Sequence, residues 1–326
     1  MRSYMRRAVM ALCLAATATA ALPAHAAGYP DKPVTLLIPY PPGGSTDMLA
    51  RPLSALLQKR WGQPLVLEYK AGAGGTIATS QLARSKPDGY TLIMVLAAHA
   101  INPSLYAKLP YDSRKDFAPV SLTATLPMLV SAPLSTPANN MSELVAYAKK
   151  HPGELTFASA GPGNTSHLAG EMFRAATGIN MLHVPYKGSG PAVVALLGGE
   201  VSLMFDSFST SYPQVQSGKL KALAVTGAKR SPLLPNVPTV AESAVPGFVV
   251  NGWYGILAPA GTPADIVNKL SRDIAEALKD PDLNKQLAAY GYEPVGSTPE
   301  EFGKYIDEET ARWGAAVKAS GVKLND

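Results

Sequence analysis

The feature that most constrains this chain is the alternation of short apolar runs with stretches of helical pattern. Apolar or β-rich runs occupy residues 34–40, 65–69, 90–97, 121–132, 154–159, 180–185, 201–205, 220–226 and 249–258. Several are apolar throughout, as parallel strands covered on both faces are. Helical patterns lie between most of them, at 46–60, 76–85, 142–150, 165–176 and 191–197. A chain that alternates in this way folds as α/β, from right-handed βαβ units with a mainly parallel sheet flanked by helices. Its 326 residues suit two lobes or one large α/β domain. With 47% hydrophobic and 16% charged residues it has ample material for a core, which excludes wholesale disorder.

Two segments resemble each other. Residues 38–47 and 158–167 both run from a strand through a Gly-, Pro- and Ser-rich loop into a helix. Paired units of this kind predict two lobes whose loops face a common cleft, since ligands of open α/β sheets sit at the carboxyl ends of the strands. The segment 117–133 reads as a crossover between the lobes, with a return near 221–229. The expected division is residues 27–125 with 231–326 in lobe 1, and 126–230 in lobe 2.

The first loop reads Pro39-Tyr40-Pro41-Pro42-Gly43-Gly44-Ser45-Thr46-Asp47. Prolines stiffen its entry, the glycines open backbone angles closed to other residues, and Ser45, Thr46 and Asp47 offer cap oxygens. A helix N-terminus presents unpaired N–H groups and a partial positive charge, so such a turn suits a carboxylate without lysine or arginine. A tight βα turn with a good cap would look the same. The second loop, Ala158-Ser159-Ala160-Gly161-Pro162-Gly163-Asn164-Thr165-Ser166-His167, has a composition fitted to neutral hydrogen-bond recognition of an anion. Asp206 ends an apolar run, where it either caps the next turn or accepts from a ligand.

Other chemistries find little support. No Gly-Lys-Ser/Thr ending marks a Walker loop, and Gly72-Ala73-Gly74-Gly75 lacks the dinucleotide order. His167 and Glu171 stand four apart, a spacing that suits two metal ligands, but an ordinary hydrogen-bonded histidine explains it as well. A serine hydrolase would need a G-x-S-x-G elbow and none occurs; a secreted hydrolase using Ser166 or Ser189 with a histidine is kept as the alternative of a different class. Neither a cofactor nor a metal is expected.

Towards the C-terminus, Thr262-Pro263-Ala264-Asp265 and Thr298-Pro299-Glu300-Glu301 each read as a cap, a proline at the first helical position and an acid three residues on. Ile266, Val267, Leu270, Ile274, Ala277 and Leu278 mark one helical face. Gly291 and Gly321 stand where left-handed C-terminal residues are wanted.

The opening residues explain the charge. Arg2, Arg6 and Arg7 precede an uncharged run ending in Pro23-Ala24-His25-Ala26, the order of a secretory signal peptide over residues 1–26 cleaved after Ala26. Its apolar part is short for a membrane span. Cleavage removes three of the 29 basic side chains and none of the 24 acidic ones, so the net charge falls from +5 to +2. That leaves no case for nucleic acid. It also removes Cys13, leaving no thiol for a disulfide or a nucleophile.

Taken together, the chain resembles the periplasmic solute receptors of tripartite tricarboxylate transporters, the Bug or TctC-like family. The stations are Tyr29-Pro30-Asp31-Lys32-Pro33-Val34, the loop 39–47, residues 71–75, Lys86-Pro87-Asp88-Gly89-Tyr90 and Phe117-Ala118-Pro119-Val120. They continue with Ala160-Gly161-Pro162-Gly163, His167-Leu168-Ala169-Gly170-Glu171, Val184-Pro185-Tyr186-Lys187-Gly188 and Ala258-Pro259-Ala260-Gly261-Thr262-Pro263. The resemblance implies a two-lobed binding protein of the type II kind that closes on a small carboxylate and hands it to integral-membrane permease subunits. It implies a periplasmic, non-enzymatic monomer. Ligand contacts would fall on Tyr40, Gly43, Gly44, Ser45, Thr46 and Asp47 in one lobe. Gly161, Gly163, Asn164, Thr165, Ser166 and Asp206 would contribute from the other. His167 and Glu171 become supports of the second helix. A receptor that senses carboxylates for a membrane regulator is a further alternative.

Overall fold

A computed structural model describes residues 28–320, so the expected signal peptide at 1–26, Cys13 and Gly321 lie outside the described residues. The elements run β1 (Val34–Ile38), α1 (Ser45–Trp61), β2 (Leu65–Tyr69), α2 (Thr76–Ala83), β3 (Thr91–Leu96), α3 (Ala98–Leu105) and β4 (Phe117–Pro133). Next come α4 (Met141–Lys150), β5 (Thr156–Ser159), α5 (Thr165–Thr177), β6 (Leu182–Pro185), α6 (Ser189–Leu197), β7 (Leu203–Ser207), α7 (Phe208–Gln216) and β8 (Leu220–Val225). The chain ends with α8 (Val240–Ser243), β9 (Asn251–Pro259), α9 (Ala264–Leu278), α10 (Pro281–Ala288), β10 (Glu293–Pro294) and α11 (Pro299–Ser320).

The expected α/β alternation is present, and each lobe carries a parallel set of strands. β2, β1 and β3 are parallel neighbours in one lobe, and β6, β5 and β7 in the other. The strands along the junction depart from this pattern. β9 is antiparallel to β3 and to β4, and β4 is antiparallel to β7, β8 and β10. The 17-residue β4 does what two short strands would otherwise do. Its first part pairs with β9 as far as Pro127↔Asn251, and from Met128↔Ser207 onward it pairs within the second lobe. Register shifts between Pro119 and Ser121 and between Leu122 and Ala124 bend it on the way, as bulges do.

Four helices escape the sequence pattern: α3, α7, α8 and α10. The first two carry Pro103 and Pro213 inside them, and α7 is rich in Ser and Thr, so local propensity argues against both. Burial overrides it, with Ile101 and Phe208 fully enclosed. The cap expected at Thr262 does not form; its hydroxyl donates to Pro259 O (2.8 Å) and α9 starts without a side-chain cap. At α11 the reciprocal bonds do close. Thr298 N–H donates to Glu301 Oε2 (2.9 Å), and Glu301 N–H to Thr298 Oγ1 (3.2 Å). All six apolar positions of α9 are buried, and Gly291 is left-handed at φ +80°.

α11 fastens the junction from behind. Glu309 is buried and accepts from Trp253 Nε1 (2.9 Å), Trp313 Nε1 (3.0 Å) and Arg312 (2.7 and 2.8 Å). One carboxylate thus ties β9 to the last helix with its charge satisfied, the condition under which a buried ion is tolerated. No helix among the described residues is long and apolar enough to cross a membrane.

Candidate binding cleft between the lobes

Three helices point their N-termini into the space between the lobes: α1, α5 and α6. The cleft is lined by Tyr40, Gly44, Ser45 and Thr46 from the first loop and by Asn164 and Thr165 from the second. Ser189 and Gly190 open α6 beside them. Leu126, Met128 and Trp253 form an apolar floor on the junction strands. No charged side chain lines it. Positive potential therefore comes from helix ends, not from cations.

The three ends differ in how many donors they leave open. α1 has Gly44 at its N-cap with no side-chain cap, and the N–H groups of Ser45 and Thr46 have no partner among the described residues. α6 likewise starts after Gly188 with no cap. At α5, Asn164 Oδ1 takes Ser166 N–H (3.0 Å), which leaves Thr165 N–H.

Six of the twelve residues singled out from the sequence lie behind this lining. Gly43 N–H donates to Asp47 Oδ2 (2.8 Å), and Arg51 Nε meets the same carboxylate at 2.9 Å. Burial works against the charge of Asp47. The Tyr69 hydroxyl, Gly43 N–H and the Arg51 guanidinium outweigh it and hold the group below the usual carboxylate range. Gly161 N–H donates to Ser159 Oγ (3.2 Å), and Gly163 N–H to His167 Nδ1 (3.3 Å). Ser166 Oγ accepts from Ala160 N–H (2.8 Å) and donates to Asn164 Oδ1 (3.1 Å).

Asp206, wholly buried at the end of β7, accepts on Oδ2 from Ser211 (2.8 Å) and from Thr210. Its Oδ1 has no hydrogen-bond partner, although the Ser189 hydroxyl and the Ser207 N–H lie near the carboxyl. Burial pushes its carboxyl above the usual range, although these neighbours work the other way. Its field in turn helps raise Tyr254, whose phenol is pushed up to about 12 chiefly by burial.

The sequence reading does not place Ser189 and Gly190 of α6, or Gly252 of β9, among the ligand contacts; Trp253 and Tyr254, readable from sequence as core aromatics or as cleft lining, do line the cleft. A glycine followed by serine at a helix start is the available signal for α6. Gly252 gives none, because only strand pairing brings β9 under the loops.

The lobes are in contact. Asn164 Nδ2 donates to Tyr40 OH (3.0 Å), and Ser207 Oγ donates to Ser45 Oγ (3.1 Å). A Cβ on Gly188 would stand 3.0 Å from Pro41 Cδ. The space between the lobes is about 590 Å³ counting its open mouth, but only about 30 Å³ of it admits the centre of a water molecule. A guest of several carbon atoms enters only if the lobes part.

Neither serine of the hydrolase alternative is bonded to a histidine. The serine that is, Ser159 (Oγ 2.6 Å from His183 Nε2), is fully buried behind the loop. No group of three potential metal ligands occurs among the described residues.

A two-lobed α/β molecule with an uncharged, anion-seeking cleft is the architecture of a periplasmic binding protein. The comparisons agree. Residues 49–322 match the family model described as the tripartite tricarboxylate transporter family receptor, and the chain belongs to that family. The structure of R. palustris Rpa4515 with adipate superposes with a TM-score of 0.88 at 38% identity, covering 91% of this chain and 100% of that one. The periplasmic binding protein BugD gives 0.87 at 40% identity, with the same coverage of each. MatC from Rhodopseudomonas palustris with bound malate gives 0.84 at 36%, covering 89% and 100%. These relatives are solute receptors and not enzymes.

Proposed function

We propose that this chain captures a small carboxylate, of the di- or tricarboxylate or aromatic kind, and delivers it to the permease subunits of a tripartite transporter. The observation that carries the reading is the convergence of three helix N-termini on a cleft with no charged side chain, with Ser45 and Thr46 N–H groups unpartnered. A carboxylate is what such donors bind. Adipate in Rpa4515 and malate in MatC support that class of ligand. The permease follows from the family alone. In this proposal the chain is exported with cleavage after Ala26 and works as a monomer.

Within the proposed site, direct contacts fall on Tyr40, Gly44, Ser45, Thr46, Asn164, Thr165, Ser189 and Gly190. Gly43, Asp47, Gly161, Gly163, Ser166 and Asp206 hold the loops from behind. We assign the lobes as residues 27–125 with 231–326, and 126–230, hinged where β4 changes partners. The ligand replaces the direct Tyr40–Asn164 and Ser45–Ser207 bonds and so draws its affinity from the closed form.

The test is a thermal-shift screen of mono-, di- and tricarboxylates followed by calorimetry. A ligand at a hundred times its dissociation constant stabilises the fold by about 2.7 kcal/mol, which reads as a rise of several degrees. A flat response to every carboxylate at millimolar concentration would defeat the proposal. Uptake in cells with and without the neighbouring permease then separates transport from sensing.

A further inference from the structure

The second loop is held by two histidines for which the binding reading has no use. His167 is buried, and its ring stacks on that of His183 with centroids 4.1 Å apart and planes 20° apart. His183 stacks in turn on Phe157, at 4.9 Å and 25°. The outer nitrogens of this stack face the loop backbone. His167 Nδ1 accepts from Gly163 N–H (3.3 Å), and His183 Nε2 lies 2.6 Å from Ser159 Oγ. That hydroxyl already accepts from Gly161 N–H (3.2 Å), so its own hydrogen is free for His183.

The tautomer of His167 follows from this geometry. A ring that accepts on Nδ1 carries its proton on Nε2, which faces Glu171 Oε1 at 4.0 Å. Glu171 is buried and fixed by Arg174, at 2.9 Å from Nε and 2.6 Å from a terminal nitrogen. Arg174 thus fixes Glu171, whose carboxylate stands 4.0 Å from His167 Nε2, too far for a hydrogen bond but on the side where that ring carries its proton. Gly161 and Gly163 sit at φ +124° and +74°, angles that glycine adopts freely, so partners behind the loop and not sterics fix where their N–H groups point.

We propose that His167 and His183 are positioning residues of the carboxylate site: a stacked neutral pair that fixes the Gly161 and Gly163 N–H groups inward and so turns the α5 N-terminus, with its open Thr165 N–H, toward the ligand. This rests on the proposed binding function and extends it from the cleft wall to the layer behind. The spacing of His167 and Glu171 serves tautomer control instead of metal binding. The groups facing His167 are His183 from β6, the Gly163 N–H, and Glu171 and Arg174 from its own helix, while Ser159 from β5 faces His183. Burial holds His167 down to about 4, with Arg174 adding to it, and holds His183 down to about 3, with His167 and Arg174 adding to it. Both rings stay uncharged at neutral pH, and protonation of His167 would set a ring N–H against the Gly163 N–H.

The decisive measurements are made on the ligand-free protein by nuclear magnetic resonance. In the wild type the ring ¹⁵N shifts of His167 show hydrogen on Nε2 only, with Gly163 slow to exchange; hydrogen on Nδ1 overturns the proposal without any variant. His167→Ala speeds Gly163 exchange about tenfold, the loss of roughly one hydrogen bond, while β1–β3 amides keep their rates. His167→Asn, whose amide oxygen takes the place of Nδ1, brings the rate back; equal rates in the Ala and Asn variants, or no change in either, also overturn it. His183→Ala does the same at Gly161, and His183→Gln restores it. Adipate titrations supply the functional arm. Where wild type binds adipate, His167→Ala weakens it about tenfold and His167→Asn recovers it, with affinity level from pH 8 to 5 and lost only near pH 4. Where wild type binds no carboxylate the proposed function fails, yet the tautomer and exchange results still decide what the histidines do.

Discussion

The loops at residues 38–47 and 158–167 are spelled alike and built differently. The first leaves its helix uncapped, spends one backbone donor on Asp47 and keeps Ser45 and Thr46 N–H groups open. The second caps its helix with Asn164 and fixes Gly161 and Gly163 through Ser159 and His167. The first loop thus offers open donors and the second offers few, so in the second lobe the open donors come mainly from the uncapped α6. The lesson is that a glycine-rich βα turn does not by itself show where its N–H groups go; the partners behind the loop decide that.

The sharpest way to break the contrast is to charge the open end. Ser45→Asp places a carboxylate at a helix N-terminus, where the fold tolerates it. In a cleft without cations two like charges about 4 Å apart cost roughly 4 kcal/mol at an effective dielectric of 20. Calorimetry should show affinity for the native ligand falling about a hundredfold or more, with the melting temperature unchanged within a degree or so.

Next in size is Gly188→Ala. The position lies at φ +117°, and the new methyl would press on Pro41 across the cleft. Backbone strain of about 1–2 kcal/mol at this φ is present whether or not the lobes meet and should lower the melting temperature, whereas the contact with Pro41 is added only on closure, so binding should also weaken, by up to about tenfold in calorimetry. Unchanged affinity would mean that the bound form is more open than the contact described here.

Asn164→Ala separates the two ends. It removes a cap worth about 1 kcal/mol and the bond to Tyr40, so the melting temperature should fall by a few degrees. Ser45→Ala, at a helix end with no side-chain cap, loses only the Ser207 hydroxyl bond and should lower it less. Equal losses in scanning calorimetry would erase the distinction between the loops.

A last test is in pH. An unfolded histidine takes up its proton near 6.5, whereas folded His167 and His183 do so only near 4 and 3. Between those values the unfolded chain binds more protons, so stability declines as pH falls through that window. Depressed Asp47 adds a loss of opposite origin at still lower pH, because its stabilisation fades as its own carboxylate is protonated. Thermal melts from pH 7 to 4 should slope downward, and His183→Gln should flatten the slope.

Much of this was legible in the sequence. The alternation of strands and helices, the capping box at α11 and the buried face of α9 follow from local chemistry that residues carry wherever they sit. So do the two Gly-rich loops, since strand, glycine and cap residues adjoin in the chain. Membership of the family could likewise be recognised from the order of short motifs.

Tertiary structure decided the rest, because it turns on contacts between residues far apart. Nothing local says that β4 and β9 run antiparallel through the junction, that Trp253 lies under the loops, or that α6 brings a third N-terminus. Glycine and serine before a helix are common; a cleft made of three such ends depends on how the sheets are joined. The histidines show the same division. His167 was visible as a helical neighbour of Glu171, and its role as the acceptor for Gly163 emerges only when β6 lays His183 against it.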